Sequence, residues 1–249
     1  MKIALISDIH ANLEALEQVL KVIDQEGVDL IINLGDLVGY NANPNECLEL
    51  IRARGDILSV VGNHDQAVSN PDKAQDFNII AYQAVMWSID QIEADHLNFL
   101  SNLPLNQVLE KRYLACHGTP TCADTYIAYL FQSRRVLNLL RRQLNPIQIC
   151  FFGHTHKRAL WYRDARGKVT LQPLQPGKIY LDRECHYLIN PGSVGQPRNH
   201  NPAASYAVFD TQDYSIQFKL VPYDIQQTQR KILAAKLHPY LAERLAQGI

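Results

Sequence analysis

Short aliphatic runs, each closed by a polar or glycine-containing turn, recur through the first two thirds of the chain. Ile3-Ala4-Leu5-Ile6 runs into Ser7-Asp8-Ile9-His10, and Leu30-Ile31-Ile32-Asn33-Leu34 into Gly35-Asp36. Ile57-Leu58-Ser59-Val60-Val61 runs into Gly62-Asn63-His64-Asp65. Later, Tyr113-Leu114-Ala115-Cys116 meets His117-Gly118, and Ile149-Cys150-Phe151-Phe152 meets Gly153-His154-Thr155-His156. Apolar runs this short, with little polar alternation, predict strands buried on both faces. Between the first two, Leu13, Leu16, Leu20 and Ile23 follow at helical spacing behind Asn12, a suitable N-cap, and Gly27 supplies the stop. Asn43-Pro44-Asn45-Glu46 is a second helix start, with Cys47, Leu48, Leu50 and Ile51 on its apolar side. The first 65 residues therefore read as a βαβαβ half-sheet with right-handed crossovers.

The pattern then loosens. Residues 66–78 are polar and without period, which predicts a loop near the strand ends. Ile79, Tyr82, Met86 and Ile89 mark an amphipathic helix, and residues 93–100 a second, ended by Ser101-Asn102-Leu103-Pro104. Residues 108–116 predict a hairpin. Residues 133–144 predict a helix with Val136, Leu137 and Leu140 inward and Arg134, Arg135, Arg141 and Arg142 on a solvated face. Beyond His156 the chain reads as short antiparallel strands at 159–162, 169–171, 179–181, 187–189, 205–209 and 215–222, with a hairpin turn at Asp164-Ala165-Arg166-Gly167. A helical tail over about 226–249 restarts at Pro239. Its apolar stripe, Ile232, Leu233, Leu237, Tyr240, Leu241 and Leu245, suits packing on the domain's own sheet or a dimer contact, so a homo-oligomer stays open. With no linker or repeat, residues 1–249 read as a single α/β domain of two facing mixed β-sheets with helices outside.

Composition narrows the function. Twenty-four basic residues against 25 acidic ones leave a net charge of −1, which argues against an extended nucleic-acid surface but leaves room for a nucleotide. The five cysteines are odd in number and show no CxxC spacing, which fits a reducing compartment and core roles. No leader pattern is present, and no apolar run approaches the ~20 residues of a membrane span. A cytoplasmic protein without a membrane partner is expected.

The turns after the strands carry the chemistry. Singly, Asp8 or Asp36 fits a turn, and His117 or His154 a hydrogen-bonded core histidine. Jointly, Asp8, His10, Asp36, Asn63, His117, His154 and His156, with His64 beside them, sit at the carboxyl ends of five apolar strands, the edge where open α/β sheets bind ligands. His96, His186, His200 and His238 lack that context and read as surface or structural residues. Oxygen and imidazole donors without thiolate suit Mn, Fe, Zn or Ni. Seven donors exceed the needs of one such ion and suit two ions ~3.5–4 Å apart, able to hold a hydroxide and clamp a phosphoryl group. Two divalent charges against two carboxylates leave a positive surplus for an anionic ester.

Asp8-Ile9-His10, Gly35-Asp36, Gly62-Asn63-His64-Asp65, His117 and Gly153-His154-Thr155-His156, in this order, resemble the calcineurin-like metallophosphoesterase superfamily. The resemblance implies a four-layer α-β-β-α sandwich. It implies one metal on Asp8, His10, Asp36 and His156 and another on Asp36, Asn63, His117 and His154, most simply Mn²⁺, with Asp36 bridging. It makes His64 a group acting on the leaving oxygen or the transition-state charge, with Asp65 orienting it. Gly35 to Pro44 and Asn190 to Arg198 resemble small prokaryotic phosphodiesterase-like members. Serine/threonine protein phosphatases carry Asp-Arg-Gly where this chain has Val38-Gly39-Tyr40, and Arg198 could supply the missing guanidinium or lie on the surface. The expected substrate is a small phosphodiester or phosphomonoester, cleaved by in-line attack of a metal-bound hydroxide, with Asn63, His64 and Arg198 as substrate contacts. Alternatives are a protein phosphatase, a nucleotide polyphosphate hydrolase or nuclease, and a non-catalytic scaffold of the same fold. Substrate choice is expected from residues 37–43, 66–78 and 119–132.

Overall fold

A computed structural model describes residues 1–249. In chain order its elements open with β1 (Lys2–Ile6), α1 (Leu13–Asp24), β2 (Leu30–Asn33), α2 (Pro44–Arg52), β3 (Ile57–Ser59), α3 (Asn63–Ser69), α4 (Ile79–Gln91) and α5 (Ala94–Ser101). They continue with β4 (Asn106–Leu109), β5 (Tyr113–Cys116), α6 (Leu130–Gln143), β6 (Ile149–Phe151), β7 (Ala159–Arg163), β8 (Val169–Leu171), β9 (Lys178–Tyr180), β10 (His186–Asn190), β11 (Ala204–Asp210) and β12 (Ser215–Val221). Helices α7 (Ile225–Ala234) and α8 (Pro239–Gln247) close the chain.

Two six-stranded mixed sheets result, ordered β3-β2-β1-β11-β12-β9 and β4-β5-β6-β10-β7-β8. Alternate residues of one strand enter different cores. Ile3 and Leu5 of β1 join Tyr113, Ala115, Ile149 and Phe151 between the sheets, while Ala4 and Ile6 join the helix layer with Leu16, Val19, Cys47 and Leu48. On the far side, Leu114, Cys116 and Cys150 pack against Val136, Leu137 and Leu140 of α6. Strands with both faces buried have no polar face to show, so their sequences read as unbroken apolar runs. This is the four-layer α-β-β-α arrangement expected. The parallel pairs β1–β2, β2–β3 and β5–β6 all present their carboxyl ends at the same edge as the ligand candidates.

Four expectations need correcting. Residues 66–78 are not a plain loop: α3 begins at Asn63, and a 3₁₀ turn covers Pro71–Ala74. A helix of barely two turns gives periodicity little room to register. In α4 the buried face is Ala81, Ala84, Val85 and Ser88, whereas Ile79 and Tyr82 are exposed. The helix lies between the main core and the tail, and small side chains let both neighbours approach. The tail stripe packs neither on a sheet nor outward as a whole. Ile232, Leu237, Leu241 and Leu245 close over Tyr40, Ala81 and Ala84, while Leu233 and Tyr240 face solvent. Thr228 ties α7 to α1 by donating to Glu14 at 2.9 Å. The C-terminal strands also divide: β10 pairs parallel to β6 and antiparallel to β7, whereas β11 pairs with β1. No helix is long and apolar enough to cross a membrane.

Candidate metal centre

The strand ends bring the seven expected ligands to one place. Asp8 and His10 follow β1, Asp36 follows β2, and Asn63 opens α3 after β3. His117 follows β5, and His154 and His156 follow β6. All seven are buried. Asp8, His10, Asp36 and His156 each offer one donor atom within 4.8 Å of the others, and so do Asp36, His117 and His154, so Asp36 belongs to both groups. His96 bonds Arg52 and His238 caps α8, both outside these groups.

Backbone carbonyls orient the imidazoles. His10 Nδ1 faces Val38 O at 3.0 Å, His117 Nδ1 faces Leu34 O at 2.7 Å, and His156 Nδ1 faces Gln196 O at 2.7 Å. A carbonyl only accepts, so each Nδ1 carries the proton and each Nε2 turns a lone pair inward, as in metal-bound histidines with an outer-shell acceptor. There, lone pair meets lone pair. His10 Nε2 lies 3.2 Å from His156 Nε2, and His156 Nε2 lies 3.2 Å from Asp8 Oδ1. Asp8 Oδ1, Asn63 Oδ1, His117 Nε2 and His154 Nε2 are buried without any hydrogen-bond partner. Uncompensated burial of such atoms costs ~1–3 kcal/mol each, a cost that divalent cations bound among them would remove. The donor set fits two such ions.

Protonation tells the same story. Burial beside Asp36 pushes Asp8 up to about 7, against the pull of His117. Burial would also raise Asp36, but His117, His64 and His10 hold it well below the usual carboxylate range. Burial would lower His117, yet Asp36 and Asp8 raise it to about 9, with Nε2 3.2 Å from Asp36 Oδ2. A cation bound among these donors would compete with the proton for Nε2. Burial lowers His154 to about 3 and takes His10 and His156 well below their ordinary value, leaving neutral ligands.

The backbone is strained where the donors sit. Asp8, His10, Asp36, His154 and His156 all have positive φ, between 48° and 64°. Non-glycine residues in that region cost about 1–3 kcal/mol each and concentrate at functional sites. Close contacts hold them there. A Cβ on Gly62 would stand 2.1 Å from Asp36 Oδ1, and one on Gly153 2.0 Å from Ser7 Oγ, so only glycine fits. The loop after β10 clamps the β1 end: Ser193 Oγ and Gly195 N–H both donate to Asp8 O, at 2.8 and 2.9 Å. Asn190 Nδ2 donates to Gly153 O at 2.7 Å and braces the β6 end in the same way; in the sequence, Asn190 and Ser193 are marked only by their place in the Asn190 to Arg198 segment.

Asp65 does not orient His64. Its carboxylate accepts the backbone N–H groups of Asp36 and Gly62 at 2.9 Å, Leu37 at 2.8 Å and Val38 at 3.2 Å. Every lone pair is spent on the turn that presents Asp36, which makes Asp65 a positioning residue. His64 Nδ1 is left buried without a partner against Gly39, and its ring packs between Tyr40 and Phe77, with centroids at 4.5 and 4.8 Å. Burial lowers His64 to about 4 despite Asp36. Arg198 is half-buried. Its guanidinium stands 5.9 Å from the Tyr40 ring centroid and donates to Gln196 Oε1 at 2.8 Å, and its charge helps to lower His156 and His64. It is no remote surface arginine.

A pocket of about 240 Å³ opens beside Asn63, His64 and His154, walled by Tyr40, Phe77 and Tyr126 with Asp76 and Asp124. These walls come from all three segments expected to choose the substrate. Tyr126 lies against His154 with ring centroids 3.9 Å apart and planes tilted by 31°, and Asp124 Oδ1 lies 3.9 Å from His154 Nε2.

Fold and centre together define a metal-dependent phosphoesterase. Residues 1–214 match the calcineurin-like phosphoesterase superfamily domain, and the chain belongs to that family. It is 41% identical to an uncharacterized protein of Methanocaldococcus jannaschii, over 99% of this chain and 98% of the relative. It is 26% identical to the phosphodiesterase YfcE of Escherichia coli K12, over 87% and 91%. The crystal structure of a metallophosphoesterase from Sphaerobacter thermophilus superposes with a TM-score of 0.82 at 36% identity, covering 100% of this chain and 99% of that one.

Proposed function

We propose that the chain binds two divalent cations, manganese foremost, and hydrolyses a small phosphodiester or phosphomonoester. Asp8, His10, Asp36 and His156 would hold one ion, and Asp36, Asn63, His117 and His154 the other. The observation that carries this reading is the pair of donor groups sharing Asp36, with inward lone pairs that no protein group answers. Iron, zinc and nickel suit the same donors. When bound, the ions supply positive charge for the phosphoryl oxygens and a nucleophile at neutral pH.

The chain's own groups supply the rest. Asp65 fixes the Asp36 turn, and Tyr40, Phe77 and Tyr126 exclude water from the leaving-group side. With no carboxylate on Nδ1 and burial opposing its charge, His64 acts as a neutral imidazole, donating a hydrogen bond to a phosphoryl oxygen as charge develops. Arg198 adds a cation at the opposite border of Tyr40. The E. coli relative's description as a phosphodiesterase supports a diester. A scaffold has no use for five strained donor residues, which speaks against that alternative. Five unpaired cysteines fit the proposed cytoplasmic location.

The test is a chelator-stripped protein reloaded with Mn, Fe, Zn or Ni and offered bis(p-nitrophenyl) phosphate, p-nitrophenyl phosphate and nucleotides. Two ions per chain and turnover of at least one ester are expected. Two bound ions with no ester cleaved under any metal would leave the scaffold.

A further inference from the structure

Two of the segments around the centre carry an aspartate close to an aromatic residue, Asp76-Phe77 and Asp124-Thr125-Tyr126, and the fold brings both to the pocket beside the metal ligands. Tyr40, from the segment after β2, adds a third ring to its walls. Asn63 and His64 line it on the metal side, both buried and each with a polar atom that no protein group answers. An ester held with its phosphorus at the ions therefore places one of its alcohols here. We propose that this pocket receives a cationic group, so that the substrate is a phosphodiester whose alcohol carries an ammonium a few bonds from phosphorus. This rests on the phosphoesterase reading above and adds the substrate's class to it.

The charge of the pocket has one sign. None of its 10 lining residues is a lysine or arginine, and burial keeps His64 and His154 neutral, which leaves the carboxylates of Asp76 and Asp124. Neither has a lysine, arginine or hydrogen-bond partner; Asp124 only approaches His154, at 3.9 Å. Lys73, on the 3₁₀ turn, is exposed and pairs with neither. Elsewhere the chain pairs its carboxylates: Asp24 and Asp56 with Arg54, Glu26 with Lys219, and Glu14 with Lys231. The ions do not account for the two, since Asp76 and Asp124 lie outside both donor groups. An anionic alcohol would be repelled here, and a neutral one would leave both carboxylates unanswered. The rings suit the same guest, because aromatic faces attract cations and aromatic cages hold quaternary ammonium groups. At about 240 Å³ the pocket falls below the ~300–1,000 Å³ of sites for drug-sized ligands, which fits a small ammonium alcohol better than a whole nucleoside.

Phosphocholine and 3,3-dimethylbutyl phosphate share one shape and differ in that carbon replaces the charged nitrogen. Phosphoethanolamine and propyl phosphate make the same comparison for a primary ammonium. Calorimetry on the manganese-loaded full chain should show the ammonium member of at least one pair binding about tenfold more tightly. Asp76→Asn and Asp124→Asn should each lower that ratio about two- to fivefold, the range for a solvent-accessible charge pair, and the double variant should lower it further. Metal analysis should find two ions in every variant. Ratios near one for both pairs, or a ratio that neither substitution changes, overturn the proposal. So does loss of an ion from Asp124→Asn with an unaltered ratio in Asp76→Asn, which makes Asp124 a counter-charge to the metals. Cleavage of bis(p-nitrophenyl) phosphate separates the failures. If it is cleaved while the ratios are near one, the phosphoesterase stands without an ammonium pocket. If no ester is cleaved under any metal while the ratio depends on the aspartates, the pocket stands and the catalytic reading falls.

Discussion

At the floor of the centre, Asp8, His10, Asp36, His117, His154 and His156 are at most 4% exposed, whereas at the rim Tyr126 is 45% and Asp124 61% exposed. The floor hangs from strand ends, with strained backbones, carbonyl-held imidazoles and glycines that no other residue could replace. The rim comes mainly from three connecting segments, held by ring contacts and a few hydrogen bonds. Over-determination suits groups that must hold ions in fixed relation. A rim with looser constraints is where relatives of one fold diverge in what they accept. The floor thus speaks for reaction class and the rim for substrate.

Substitutions can break that division. Asp36→Ala removes the only donor common to both groups, so metal content should fall from two ions toward none. Turnover should drop by more than the ~10–100-fold typical of losing an outer-shell partner. Metal analysis alongside kcat/KM checks this, and one tightly retained ion with full activity would end the two-ion account. His64 stands where floor meets rim. His64→Ala should keep both ions and lose about 10²–10³-fold, the range for one preorganised donor. The loss should be equal for alkyl and activated aryl esters. A clearly greater loss on alkyl esters would restore a proton-donating role for His64. Tyr126→Ala should be mildest, raising KM about 2–10-fold through lost stacking, with metal content unchanged. Loss of an ion instead would move Tyr126 to the floor, as a support for His154.

Much of the floor was legible because most of its ligands follow strands whose two buried faces leave an apolar run; β3, ahead of Asn63, is the exception, with Leu58 exposed. Asp8, Asp36 and His154 need no knowledge of distant contacts to be placed at a strand end. The four-layer arrangement followed from the same runs together with the family resemblance. The sequence could not say that Asp65 serves the Asp36 turn instead of His64, because that depends on four backbone N–H groups, three of them 27–29 residues away. Nor could it say that Ser193 braces Asp8 across 185 residues, or that α4 buries its alanines beneath the tail. Hydrophobic periodicity records whether a position is covered. What covers it is decided by how the sheets close on each other and where the terminal helices settle, here over Tyr40, Ala81 and Ala84.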